Sequence, residues 1–210
     1  MRSRSPGGEH RAPARGAFVR ALATPPNVVT LSRLAFLFAA LGMFHAHVTR
    51  AALVLGTLAG LTDYLDGWLA RRLGQVTRLG EILDQFCDIA LELSMLLVAT
   101  SLPDGLPRAI LAPYVLREIW VAGIRRFTAE HGVNIASRKS GKLKSALLGW
   151  SSLPLFAGAL GLAGAASPVL LRVGQLGIGL GLACGLVSGA QYTLDFISVY
   201  NRRVIDERTA

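Results

Sequence analysis

Four aspartates lie at or inside apolar runs long enough to cross a membrane, and no other feature of the chain restricts its fold so strongly. They stand in the order Asp63-x2-Asp66-Gly67-x2-Ala70-Arg71-x8-Gly80-x3-Asp84-x3-Asp88. A carboxylate in an apolar span is expensive and is kept for function. Eight positions are fixed in this pattern, and at roughly 5% usage per residue type a chance match is on the order of 10⁻¹⁰ per starting position. The spacing is therefore a signature.

The surrounding sequence predicts an all-α integral membrane protein. Hydrophobic residues make up 52% of the 210 residues and the mean hydropathy is +0.46. A bilayer core takes about 20 apolar residues per helix. Six candidate spans follow, at about 28–48, 51–70, 79–102, 106–124, 144–165 and 168–198. The second, third and fourth carry charges and score poorly on hydropathy alone. They are read as helices because backbone polar groups in lipid must be satisfied internally.

The net charge of +9 is unevenly placed. Arg2, Arg4, Arg11, Arg15 and Arg20 precede the first span. Arg71, Arg72 and Arg78 follow the second, further cations fill 125–144, and Arg202, Arg203 and Arg208 end the chain. The alternate connections hold Arg50, Arg108 and Arg172. The positive-inside rule then puts both termini in the cytoplasm. Cations spread over the loops of one membrane face do not form a nucleic-acid surface. Cys87 and Cys184 both fall in apolar spans and imply no disulfide framework. Residues 1–23 read as a disordered basic tail without a signal-peptide core, 24–200 as one membrane domain, and 201–210 as a cytoplasmic tail. The Gly-rich stretch from 155 onward reads as close helix packing, with a subunit interface as one use for it.

Asp63 and Asp66 are i, i+3 neighbours and Asp84 and Asp88 are i, i+4 neighbours, so each pair shares a helix face. A short basic loop joins the two helices, which lets the pairs meet just below the cytoplasmic surface. Four carboxylates that close repel unless cations intervene. All-oxygen ligation favours Mg²⁺ or Mn²⁺, and four acids suffice for two ions. Two-metal sites serve in-line phosphoryl displacement. Gly67 leaves room for a ligand against the helix. Gly80 does the same or packs a helix end. Arg71 is placed to grip a phosphate, or to anchor the helix at the interface. Glu81 and Glu92 read as interfacial or packing groups. A purely structural charged helix pair, or an ion pathway, is the alternative for the whole constellation.

These residues resemble the signature of the CDP-alcohol phosphotransferase family, and every signature position is present. The resemblance implies six transmembrane helices, a cytoplasm-facing di-metal site, and transfer of a phosphoalcohol from a CDP-linked donor with release of CMP. It assigns Asp63, Asp66, Asp84 and Asp88 to two metal ions, with Asp88 also the base that deprotonates the acceptor hydroxyl. It assigns Gly67 and Arg71 to the CDP moiety and places Thr77 near the nucleotide. A homodimer is the family expectation.

Two further segments narrow the substrate. Pro26-Asn27-x2-Thr30-x2-Arg33 at the start of the first helix resembles members that use CDP-diacylglycerol, with the helix start facing the nucleotide or its phosphates. Arg117-Glu118-x6-Arg125, followed by Gly141-Lys142-x-Lys144, resembles the bacterial phosphatidylglycerophosphate synthase branch. That likeness implies sn-glycerol 3-phosphate as acceptor, its phosphate held by Arg117, Arg125, Lys142 and Lys144. Sister activities with inositol phosphate, serine or phosphatidylglycerol as acceptor are the alternatives. A non-enzymatic membrane protein using the metals structurally is a more distant one. The implied setting is the bacterial inner membrane.

Overall fold

The computed structural model describes residues 19, 22–74, 77–133, 135 and 138–204. The expectations for the two tails fall mostly outside these residues. The described chain is helical, with no strand among the described residues. Six long helices carry the fold: α1 Pro25–His45, α2 Thr49–Leu73, α3 Arg78–Ala99, α4 Leu111–Glu130, α5 Lys139–Ala159 and α6 Ser167–Val204.

Each helix end has a local cause. Pro25 and Pro26 start α1, where a missing N–H costs nothing. Thr77 caps α3, its Oγ1 accepting from Gly80 N at 3.0 Å. Gly74 has φ +61° and ends α2 in the left-handed region. The helices match the six apolar runs in order but not in length. Helix α4 continues past Arg125 to Glu130, and α5 begins at Lys139 rather than near 144. Hydropathy marks the apolar middle of a helix, whereas the backbone hydrogen bonds continue through its polar turns.

Helices α1 and α2 form one tightly packed hairpin and α5 and α6 another, with α3 against α1 and α4 against α6. Small residues explain the second hairpin. A Cβ on Gly158 would lie 2.3 Å from Leu171 N, and one on Gly174 would lie 2.4 Å from Leu155 N. Not every glycine in that stretch serves packing, since Gly179 has open space where a Cβ would go. Leu96, Ala99, Tyr114, Leu148, Leu155 and Ile178 form the main apolar core, where α3 to α6 meet.

The exterior is apolar and part of the interior is charged. Phe38, Leu116, Trp150 and Leu176 are each more than 65% exposed, whereas Arg33 is wholly buried and Lys144 is 5% exposed. Helix α1 and the stretch Gly164–Arg202 are long and apolar enough to cross a membrane by length and composition. Charges within α2, α3 and α4 lower their hydropathy, and some of them, Asp66, Glu92, Arg117 and Glu118, build the polar interior.

Candidate functional site

Helices α1, α2 and α3 meet around a single guanidinium. Arg33 lies on the buried face of α1 with Pro26, Thr30, Leu37 and Ala40, at the three-to-four residue spacing of one helix stripe. Asp63 and Asp66 come from the last turns of α2, and Asp84 and Asp88 from the first turns of α3. Arg33 Nη2 stands 2.8 Å from Asp63 Oδ1, 2.7 Å from Asp66 Oδ2 and 3.4 Å from Asp84 Oδ1. Its Nη1 donates to Asp88 Oδ1 at 2.6 Å. Thr30 Oγ1 donates to Asp66 Oδ2 at 2.7 Å and fixes the one aspartate that is nearly buried.

One oxygen from each of Asp63, Asp66 and Asp84 lies within 4.8 Å of the others. Three hard oxygen donors that close suit one divalent cation of the Mg²⁺ or Mn²⁺ type. Asp88 stands outside this triad and is tied to it through Arg33. Asp63, Asp84 and Asp88 remain about half exposed, so the cluster opens to its surroundings on one side.

Beside the cluster is an open cavity of about 260 Å³. Pro26, Asn27, Thr30, Gly67, Arg71 and Thr77, the six residues that sequence resemblance assigned to the donor, all line it. Asp66 and Asp84 supply part of its wall. At Gly67 an added Cβ would meet only the Arg71 guanidinium, at 3.6 Å, so the bare backbone faces open space. Gly80 answers to packing, because a Cβ there would lie 2.8 Å from Asn27 Oδ1. Its small size brings the start of α3 against the start of α1. Glu81 also lines the cavity and is exposed.

The four cations expected at the acceptor phosphate divide into two kinds. Arg125 and Lys142 are exposed, and neither forms an ion pair among the described residues. Arg117 and Lys144 are committed to carboxylates. Lys144 Nζ lies 2.6 Å from Glu92 Oε2 and 2.8 Å from Glu118 Oε1. Arg117 Nη1 lies 2.5 Å from Glu118 Oε1, while its Nη2 and Nε donate to Ser188 Oγ and the Gly185 carbonyl at 2.9 and 3.1 Å. Tyr114 completes the network by donating to Glu92 Oε2 at 2.6 Å. Just before α5, Arg138 pairs with Asp195 of α6 and its backbone N–H donates to Tyr192 Oη at 3.3 Å. This pins the basic first turn of α5 to α6.

No role for Arg33 follows from the sequence motifs; Arg117 and Glu118, if buried, read there as charges that need partners, and Glu92 as an interfacial or packing group. The signal for Arg33 was present. It is an arginine inside an otherwise apolar helix, and a buried charge needs a partner. It sits on the helix face that carries Thr30, opposite acids that had none. Glu92 follows Asp88 by four residues and so extends the acidic stripe of α3 toward the second network.

Fold and cluster together define a class: an all-helical protein with an apolar exterior that gathers hard carboxylate ligands beside a polar cavity. A sequence profile of the CDP-alcohol phosphatidyltransferase family matches residues 23–185, and the chain belongs to that family. The family is membrane-bound and generally metal-dependent. Among curated relatives, the CDP-diacylglycerol–glycerol-3-phosphate 3-phosphatidyltransferase of Bacillus subtilis (strain 168) is 31% identical over 137 residues, covering 57% of this chain and 69% of the relative. The protein of the same name from Escherichia coli (strain K12) is 32% identical over 126 residues, with 57% and 69% covered. That from Rickettsia typhi is 28% identical over 127 residues, with 58% and 70% covered.

Proposed function

We propose that this chain transfers the phosphatidyl group of CDP-diacylglycerol to a hydroxyl of sn-glycerol 3-phosphate, releasing CMP. The observation that carries the reading is the meeting of six donor-motif residues and two motif aspartates around one cavity. The similarity to named glycerol-3-phosphate 3-phosphatidyltransferases supports the acceptor.

In this reading residues 24–200 are one membrane domain. Its six helices each span the bilayer of a bacterial inner membrane, and the protein works as a homodimer. The basic connections at 71–78 and 125–144 and both tails face the cytoplasm, where the water-soluble acceptor and the CDP headgroup of the lipid donor are both within reach. Asp63, Asp66, Asp84 and Asp88 hold two Mg²⁺ or Mn²⁺ ions. When bound, these ions neutralise the donor pyrophosphate and the departing CMP phosphate. Pro26, Asn27, Thr30, Gly67, Arg71 and Thr77 seat the cytidine diphosphate, with Arg71 gripping a phosphate. Asp88 takes the proton of the acceptor hydroxyl. The hydroxyl oxygen forms a bond to the phosphatidyl phosphorus, the pyrophosphate P–O bond breaks, and CMP leaves with that electron pair. Arg117, Arg125, Lys142 and Lys144 hold the acceptor phosphate.

The test is an acceptor panel with purified protein in detergent and CDP-diacylglycerol carrying a labelled phosphatidyl group. CMP release and a labelled product only with glycerol 3-phosphate support the assignment. Turnover with serine, inositol phosphate or phosphatidylglycerol instead moves the chain to a sister activity. No CMP release with any of them removes the enzymatic reading.

A further inference from the structure

The guanidinium of Arg33 stands where the three ligand carboxylates converge. Its Nη2 is 2.7–3.4 Å from an oxygen of Asp63, Asp66 and Asp84, the same three residues whose oxygens lie within 4.8 Å of one another. A divalent ion on the oxygens that Arg33 Nη2 holds would need contacts of about 2.0–2.1 Å for Mg²⁺. Nitrogen and ion cannot share that point. Arg33 is also held there unequally. Its two terminal nitrogens reach four carboxylates, while its buried Nε has no hydrogen-bond partner. A buried donor left unpaired is a cost. The attraction of the acids therefore outweighs full satisfaction of the guanidinium, and a cation that relieves those acids weakens the hold on Arg33.

We propose that Arg33 is a built-in counter-cation of the aspartate cluster: it closes the cluster in the metal-free protein, and metal binding must take that position from it. Arg33 is thus a positioning residue that lowers metal affinity while keeping α1, α2 and α3 together before metal arrives. Arginine suits the role because it stays charged in any protein setting and reaches several carboxylates at once. The inference rests on the metal-site reading above, and its test separates the two.

The experiment titrates Mn²⁺ alone onto the purified, chelator-stripped full chain in detergent, with free Mn²⁺ read by electron paramagnetic resonance. Thermal unfolding is followed on the same samples with and without Mn²⁺. Arg33→Gln should bind Mn²⁺ about tenfold or more tighter than the unsubstituted chain, the scale on which one charge-assisted contact moves an equilibrium. It should also unfold at a lower temperature without metal and regain more on adding it. Arg33→Lys keeps a charge but reaches fewer oxygens, so it should bind Mn²⁺ with an intermediate gain and keep most of the metal-free stability. It therefore serves where Arg33→Gln does not fold. A merely structural arginine predicts the opposite sign, because a loosened cluster binds metal more weakly. Mn²⁺ affinity in either variant equal to or below that of the unsubstituted chain overturns the counter-cation role and leaves the metal site standing. No Mn²⁺ binding by the unsubstituted chain overturns both.

Discussion

Replacing Lys144 with methionine separates a structural role from a substrate role. The ammonium lies 2.6 Å from Glu92 and 2.8 Å from Glu118, and all three side chains are at most 13% exposed. Removing one member of a buried ion pair costs about 3–5 kcal/mol, because the partner charge stays buried. The lower end applies here. Glu92 keeps the Tyr114 hydroxyl and Glu118 keeps Arg117, each at hydrogen-bond distance. At about 2–4 °C per kcal/mol for a chain of this size, a loss of about 3 kcal/mol lowers the midpoint by about 6–12 °C. Adding Glu92→Gln removes the uncompensated charge and keeps an acceptor for Tyr114. The double variant should regain most of the loss, with a coupling of about 2 kcal/mol in a double-mutant cycle. Thermal unfolding in detergent gives the stability, and CMP release at varied glycerol 3-phosphate gives the KM. If Lys144 contacts the acceptor phosphate, the KM stays raised in the stabilised double variant. If it only holds the helices, the KM returns with stability. A Lys144→Met chain as stable as the unsubstituted one, or a double variant no more stable than the single, refutes the reasoning.

Three further outcomes are expected. Asp88→Asn should cut turnover by roughly 10²–10⁴-fold, the usual cost of a positioned base, while CDP-diacylglycerol binding measured directly is largely kept. Chelator should abolish CMP release, and Mg²⁺ or Mn²⁺ should restore it, whereas full activity of stripped protein in excess EDTA would end the metal reading. Arg125→Ala or Lys142→Ala should raise the glycerol 3-phosphate KM by roughly 10–100-fold and the donor KM little, because each side chain is exposed and its loss leaves no buried charge behind.

The helices and the grouping of residues that line the polar cavity were legible in the sequence because both depend on local spacing. Asp63 and Asp66, or Asp84 and Asp88, share a face by helix geometry alone. Thr77 caps α3 one turn from Gly80, so that contact is local as well. What the sequence did not supply was which charge meets which across helices. Arg33 lies 30 or more residues from every aspartate it touches, and Lys144 is 52 residues from Glu92. Such pairings depend on how the hairpins pack, which periodicity within one helix does not encode. Hence four cations in the 117–144 region looked alike in sequence, and burial divides them. Lys144 and Arg117 turn inward to carboxylates, whereas Arg125 and Lys142 face outward from the same two helices.

Formal charge separates the two polar clusters in kind. At the first, four carboxylates face one guanidinium, which leaves three negative charges uncompensated by side chains. Such an excess in an apolar protein calls for cations from outside; two divalent ions would balance the four carboxylates, and Arg33, displaced from their midst, would leave one positive charge over. That sign suits an incoming pyrophosphate. At the second, Glu92 and Glu118 balance Lys144 and Arg117, so the network has no net charge to attract an acceptor dianion. On the proposed acceptor reading, the long-range pull on the acceptor comes from exposed Arg125 and Lys142. Lys144 or Arg117 can bind its phosphate only by giving up a carboxylate. Raising the salt concentration should therefore weaken glycerol 3-phosphate capture through the exposed pair, while leaving the buried network, which is little screened, intact.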